Sequence, residues 1–268
     1  MSLCHRLLIL MSIQWLTLYC IALLLPMALQ ADQIPRIAAA SSLQFALPKV
    51  LIEFKQQTGH SVRVTFGSSG NFRRQIIQGA PFELFLSANE SYVNALVDLG
   101  LTVDSGIIYA QGRIALIAPN NSPLKMDKDL NGLRQALDKN EISRFAIANP
   151  DHAPYGRAAR EALKKLGLWN DIQSFIVKGE NASQATQFAI SGSTQGGIVP
   201  YALAISPVIA RSNQVVLIAQ SSHQLIGQKM VLMSGAGNVA RQLYDFIGQP
   251  QAQAILTQLG YQGASMNQ

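Results

Sequence analysis

Four stretches of this chain share one local grammar: a short apolar strand, a turn rich in Ser, Gly or Asn, then a helix. Residues 36–40 run into Ser41-Ser42-Leu43, and residues 62–66 into Gly67-Ser68-Ser69-Gly70. Residues 144–148 run into 149–156, and 175–177 into 179–183. Repeated strand–helix alternation restricts the fold to the α/β class with mostly parallel sheets. It also repeats one piece of chemistry. A helix N-terminus presents unpaired N–H groups and a partial positive charge, so it receives anions. Serine adds a hydroxyl donor without a formal charge. Four such junctions facing one cleft would make an anion cage that needs no Lys or Arg.

The alternation continues to the C-terminal end. A first helix is expected over 43–58, with Leu43, Leu47, Val50, Leu51 and Phe54 on one face. Pro48 inside that pattern predicts a bend or a late start. Further helices are expected over 71–78, 92–99, 156–166, 182–190, 239–247 and 250–259. Strands are expected over 83–86, 114–117, 197–199 and 230–233. No linker or repeat separates these units. Two lobes must therefore interleave, the first formed by 32–112 and 227–268 and the second by 113–226, with two crossings between them.

Residues 1–31 stand apart. His5 and Arg6 precede an apolar run over 7–29 that closes on Ala28-Leu29-Gln30-Ala31, and no acid occurs before Asp32. This is the pattern of a signal peptide cut after Ala31. The alternative is a retained anchor helix, since the run approaches the length of a membrane span. Both cysteines, Cys4 and Cys20, lie in this leader, so the chain beyond it has no disulfide or thiolate chemistry. An exported chain of that kind suits the periplasm. The net charge of +6 loses only Arg6 with the leader. The remaining basic residues are scattered, without the basic stripe and aromatic platforms of nucleic-acid binding.

Other motifs are weaker. Gly67-Ser68-Ser69-Gly70 lacks the Gly-Lys-Ser/Thr ending of a phosphate-binding P-loop. Gly235-Ala236-Gly237-Asn238-Val239-Ala240 imitates a dinucleotide fingerprint but comes too late for a βαβ unit. Three scattered histidines beyond the leader, His60, His152 and His223, argue against a zinc site, and no pair of acids has the spacing of an acid–base couple. A lone Ser at a strand–helix turn is ordinarily an N-cap, which is the plain reading of Ser42.

The junctions also carry a family likeness. The segments Ala38-Ala39-Ala40-Ser41-Ser42-Leu43 and Phe66-Gly67-Ser68-Ser69-Gly70 are part of it. So are Gly79-Ala80-Pro81-Phe82-Glu83-Leu84-Phe85-Leu86-Ser87-Ala88 and Asn149-Pro150-Asp151-His152-Ala153-Pro154-Tyr155-Gly156. Together the chain resembles the periplasmic molybdate-binding proteins, solute receptors of bacterial ABC importers, over nearly all of 34–263. The resemblance implies a two-lobe Venus-flytrap fold and no catalysis. It implies capture of molybdate or tungstate by neutral hydrogen bonds, with no free metal cation and no further cofactor. The donors it implies are the hydroxyls of Ser42, with Ser41 beside it, and Ser69, and the backbone N–H groups of Tyr155 and Ala182. The implied partners are a membrane permease and its cytoplasmic ATPase, with the receptor itself a monomer. One position departs: Pro200 stands where some members carry a donor Tyr, and the Tyr155 hydroxyl is the candidate substitute.

Two rivals remain at this level. Within the binding class, the solute could be sulfate, phosphate or thiosulfate. From another class comes a secreted Ser-type hydrolase built on Asp151 and His152. Its signature would be a contact between His152 and one of Ser41, Ser42, Ser68 or Ser69.

Overall fold

The computed structural model describes residues 34–263. The expected leader and both cysteines lie outside the described residues. In chain order the elements begin with β1 (Arg36–Ala40), a 3-10 turn (Ser41–Leu43), α1 (Ala46–Thr58), β2 (Arg63–Gly67), α2 (Ser69–Ile77), β3 (Leu84–Ser87) and α3 (Glu90–Asp98). Then come β4 (Ile107–Gly112), β5 (Ile114–Pro119), α4 (Asn131–Asp138), β6 (Phe145–Ala148), α5 (Pro154–Lys165) and α6 (Trp169–Ile172). These are followed by β7 (Ile176–Gly179), α7 (Ala182–Ile190), β8 (Gly197–Pro200), α8 (Tyr201–Ala204), α9 (Pro207–Ala210) and β9 (Asn213–Leu217). The chain finishes with β10 (Ile226–Leu232), α10 (Asn238–Ile247), α11 (Pro250–Gln258) and β11 (Gln262–Gly263).

Two sheets result, ordered β11-β4-β10-β3-β1-β2 and β7-β6-β8-β5-β9. β1 pairs in parallel with β2 and β3, and β6 with β7 and β8. The strands that carry the chain between sheets enter antiparallel: β10 against β3 and β4, and β5 against β8 and β9. Both sheets are therefore mixed, more so than the strand–helix alternation suggests. The chain leaves the first sheet between β4 and β5, at Gly112 and Arg113, and returns between β9 and β10. Arg113 fastens the first crossing: its guanidinium donates to Gly260 O at 3.1 Å and stacks over the Tyr201 ring at 4.5 Å.

Period-two alternation explains why each sheet is covered on both faces. In β3, Leu84 and Leu86 join Leu47, Val50, Phe54, Leu243 and Leu256 on one side, while Phe85 meets Phe72, Val93 and Leu96 on the other. In β5, Ile114 and Leu116 pack with Leu133 and Leu163, and Ala115 and Ile117 with Ala189 and Ile209. Strands buried on both faces read as unbroken apolar runs, as these do. The first helix starts late, at Ala46, which places Pro48 in its first turn where a missing N–H costs nothing.

Helix α4 is anchored from outside by Asp127. Its carboxylate accepts from Gly132 N at 2.7 Å, and from Asn131 N and Asp129 N at 3.0 Å each. Burial alone would raise this carboxyl's pKa, but the three backbone donors outweigh it and hold it low. A folded pKa below the unfolded one gives stability that is present at neutral pH and lost as pH falls through the folded value. Asp127→Ala is therefore expected to destabilise by about 0.5–1 kcal/mol, the low end of a cap's range because the group is partly exposed. Urea melts of both proteins should converge as the pH drops below the carboxylate range. A constant difference down to acid pH would refute this role.

Candidate functional site

The four strand–turn–helix junctions sit at the carboxyl ends of β1, β2, β6 and β7. In open α/β sheets that is where a crevice forms and ligands bind. Asn149 shapes the third junction by accepting from Asp151 N at 3.1 Å, an Asx-type turn that hands the chain to α5. Asn181 caps α7 by accepting from Gln184 N at 3.0 Å, which leaves Ala182 as the first helical residue. Ser68 holds the extended N-cap position of α2.

All five of Ser41, Ser42, Ser69, Tyr155 and Ala182 line a single cavity, together with Ala40, Gly67, Ser68, Ala88, Ala153 and Pro154. No Lys, Arg, Asp or Glu is among these lining residues. The cavity holds only about 10 Å³, room for the centre of about one water-sized group and too little for an organic ligand. A wider cavity, about 580 Å³, lies elsewhere, against Glu161, Lys164, Lys165 and His223, and gathers none of the junctions. Helices α2, α5 and α7 all begin at the small cavity. The N–H groups of Tyr155 and Ala182 fall in first turns, where no intrahelical acceptor exists.

Hydrogen bonding decides what the serines can offer. Ser69 Oγ accepts from Ala88 N at 3.0 Å, and Ser41 Oγ accepts from Ser183 N at 3.2 Å. In each case a backbone N–H occupies a lone pair, and the hydroxyl proton stays free to donate. Ser42 Oγ is buried and makes no hydrogen bond among the described residues. Nor does Ser42 cap a helix: it lies inside the 3-10 turn, and α1 begins four residues later. Three uncharged O–H donors thus face the same space. Pro200 and Tyr201 do not line it, since the Tyr201 ring is held under Arg113.

His152 does reach a serine. Its Nδ1 lies 2.9 Å from Ser68 Oγ, and Ser68 Oγ also lies 2.6 Å from the carbonyl oxygen of His152. A carbonyl can only accept, so the single Ser68 proton goes there. Nδ1 must then carry its own proton and donate to Oγ. A ring nitrogen that is donating cannot act as the base for that serine. The carboxylate beside Nε2 is Glu180, at 3.5 Å, whereas Asp151 is exposed and faces Arg160 at 3.8 Å. The arrangement is a cross-cleft contact, joined by Gly70 N donating to His152 O at 3.0 Å and by Asn71 bonding Glu180. Ser183 bonding Gln44, and Arg157 donating to the Tyr92 hydroxyl at 2.7 Å, add to it. Among the described residues, no group of three His, Cys, Asp or Glu could hold a metal ion.

Ser68, Ala88 and the 153–154 pair escaped the sequence reading as lining residues. The doubled serine of the second junction signalled Ser68, but its contact with His152 spans 84 residues and has no local trace.

Residues 35–262 match the family described as bacterial extracellular solute-binding proteins. The chain is 36% identical to the molybdate-binding protein ModA of Rhodobacter capsulatus, over 90% of this chain and 93% of that one. The periplasmic molybdate-binding protein of Azotobacter vinelandii superposes with a TM-score of 0.77 at 28% identity, covering 85% of this chain and 98% of the other. The sulfate-binding protein SubI of Mycobacterium tuberculosis H37Rv, at 17% identity, shares the fold, with a TM-score of 0.72 and coverage of 87% of each chain.

Proposed function

We propose a function from one premise: the chain belongs to the bacterial extracellular solute-binding proteins, and is a binding protein of a transporter and not an enzyme. The solute is molybdate or tungstate, captured in the periplasm after export and delivered to an ABC permease and its ATPase. The receptor acts as a monomer.

The observation that carries this reading is the uncharged lining of the cavity. The hydroxyls of Ser41, Ser42 and Ser69 and the N–H groups of Tyr155 and Ala182 are uncharged donors that converge on this one small cavity. A fully ionised tetrahedral oxyanion has acceptors only and matches that set. A protonated oxyanion is best held by a carboxylate acceptor, and no Asp or Glu lines the cavity, so hydrogen phosphate is disfavoured. Three helix N-termini balance the dianion without an ion pair. Arg157, which lines a neighbouring cavity, adds long-range attraction without contact.

Capture works by closing two lobes, 32–112 with 227–268 against 113–226, about the two crossings. The cross-cleft bonds Ser68–His152, Gly70–His152 and Ser183–Ser41 are then formed only in the closed state. The permease can distinguish an occupied receptor because occupancy shifts the population toward that state.

Calorimetric titration of the protein with molybdate, tungstate, sulfate and phosphate tests the proposal. One site per chain is expected for molybdate and tungstate, with sulfate much weaker, since the longer metal–oxygen bonds span the donors that a smaller ion cannot reach together. Equal affinity for sulfate, or no heat with molybdate, would overturn it.

A further inference from the structure

Arg157 stands one wall away from the anion cavity and does not line it. It lines a neighbouring cavity of about 30 Å³ whose walls include Ala88 and Pro154, two residues that also line the anion cavity. Glu161, one helical turn on, shares that neighbouring cavity, and its carboxylate accepts from Gln224 N at 3.1 Å. Arg157 pairs with no carboxylate among the described residues. A half-buried guanidinium without a counter-ion thus sits beside a charge-free anion cage.

What holds Arg157 is a tyrosine from across the cleft. Arg157 belongs to α5, which packs on the second sheet, and Tyr92 to α3, which packs on the first. Arg157 Nη2 donates to Tyr92 Oη at 2.7 Å, with Cζ 5.5 Å from the ring centroid. Arg73, from α2 on Tyr92's own side, brings a second guanidinium to 5.4 Å from the same centroid. At that distance a cation is attracted by the ring. Tyr92 is buried between them.

We propose that Arg157 is a positioning residue with two stations. In the open receptor it draws the oxyanion to the mouth of the cleft, and on closure the Tyr92 hydroxyl takes it and latches the cleft shut. The statement rests on the oxyanion reading of the cavity. The hand-over resolves a conflict in the chemistry of capture. A cation speeds the encounter with a dianion, yet a cation inside the cage would hold any anion whatever its shape or protonation. Neutral donors select, and Tyr92 keeps the guanidinium away from them. Arg73 and Tyr92 are carried by one sheet, so their contact survives opening and the ring is in place when Arg157 arrives. Arg157 and Tyr155 share the N-terminal end of α5. An anion that seats the Tyr155 N–H therefore also seats Arg157 against Tyr92.

Rapid filtration with radiolabelled molybdate tests this by reading capture and release separately, on the protein, Tyr92→Phe, Arg157→Met and the double variant. Phe keeps the ring for Arg73 and removes only the acceptor for Arg157. Tyr92→Phe is expected to release molybdate about tenfold faster with capture unchanged. That is the low end for a hydrogen bond from a charged donor, because Arg157 is partly exposed. Arg157→Met should release as fast and also capture about twofold to fivefold more slowly at low salt, a difference that closes as salt screens it. The double variant should release no faster than Arg157→Met alone. Unchanged release in Tyr92→Phe, or capture by Arg157→Met with the unaltered rate and salt dependence, would overturn the proposal while leaving the oxyanion reading intact. So would a lowered ligand-free melting temperature in Tyr92→Phe, which would assign the bond to the resting fold. Absence of molybdate binding in the unaltered protein would overturn both. Should Tyr92→Phe fail to fold, Arg157→Met carries the test, and release at the unaltered rate refutes the latch.

Discussion

Ser42→Ala and Ser69→Ala are each expected to weaken molybdate binding by about tenfold to 150-fold. A hydrogen bond to a charged acceptor is worth about 1.5–3 kcal/mol, and these hydroxyls donate into a space that holds no other charge. The two variants should part company in stability. Ser69 Oγ satisfies the buried Ala88 N–H at 3.0 Å, so removing it leaves that donor orphaned and costs about 1–3 kcal/mol of folding free energy. Ser42 Oγ satisfies nothing among the described residues, so Ser42→Ala should melt close to the unaltered protein. Calorimetry and thermal melts on the ligand-free variants check both halves. Pro200→Ala is the control, because Pro200 is buried at the end of β8 and does not line the cavity. A loss at Pro200 with none at either serine would place the site elsewhere.

Gly70→Ala is expected to weaken binding by about fivefold to 150-fold while sparing the fold. Gly70 lies in the first turn of α2 and faces His152 across the cleft. A Cβ there would come within 2.6 Å of His152 O and 3.0 Å of its Cα, both of them backbone atoms that a side-chain rotation cannot move. Relieving the clash means parting the two turns, which stretches the 3.0 Å bond from Gly70 N and the 2.6 Å bond from Ser68 Oγ. Overpacking of this kind costs about 1–3 kcal/mol, here charged to the closed state alone. In the ligand-free open state the methyl meets no opposing turn and favours the helix slightly. The ligand-free melting temperature should therefore hold or rise as affinity drops. Unchanged affinity would mean that closure does not bring these turns together. A lowered ligand-free melting temperature would mean that the contact belongs to the fold and not to closure.

Some elements could not be read in advance. Strand β4 escaped because Ile107 and Ile108 are both 42% exposed and break the alternation that marks a half-buried strand. Its partner is β10, far along the chain, and the pairing carries a register shift at Gln228 and Lys229. Strand β9, with its scattered Gln and Asn, is half-buried on an edge and left as weak a trace. The late start of α1 was legible, because Pro48 is a local steric fact.

What the sequence determined by itself was local. The junctions after β1, β2, β6 and β7 follow from apolar runs ending in Ser, Gly and Asn, and each creates free N–H groups wherever it lies in space. Which protons are left to donate was decided by tertiary structure. Ser41 is freed as a donor by Ser183, 142 residues away. Ser68 is withdrawn from catalysis by the carbonyl of His152, 84 residues away. Tyr155 turns its hydroxyl into the crossing because Gly112 leaves the room. A hydroxyl or an imidazole can donate or accept, and only the neighbour that takes one role fixes the other. That neighbour comes from strand order and lobe apposition, which no local pattern encodes.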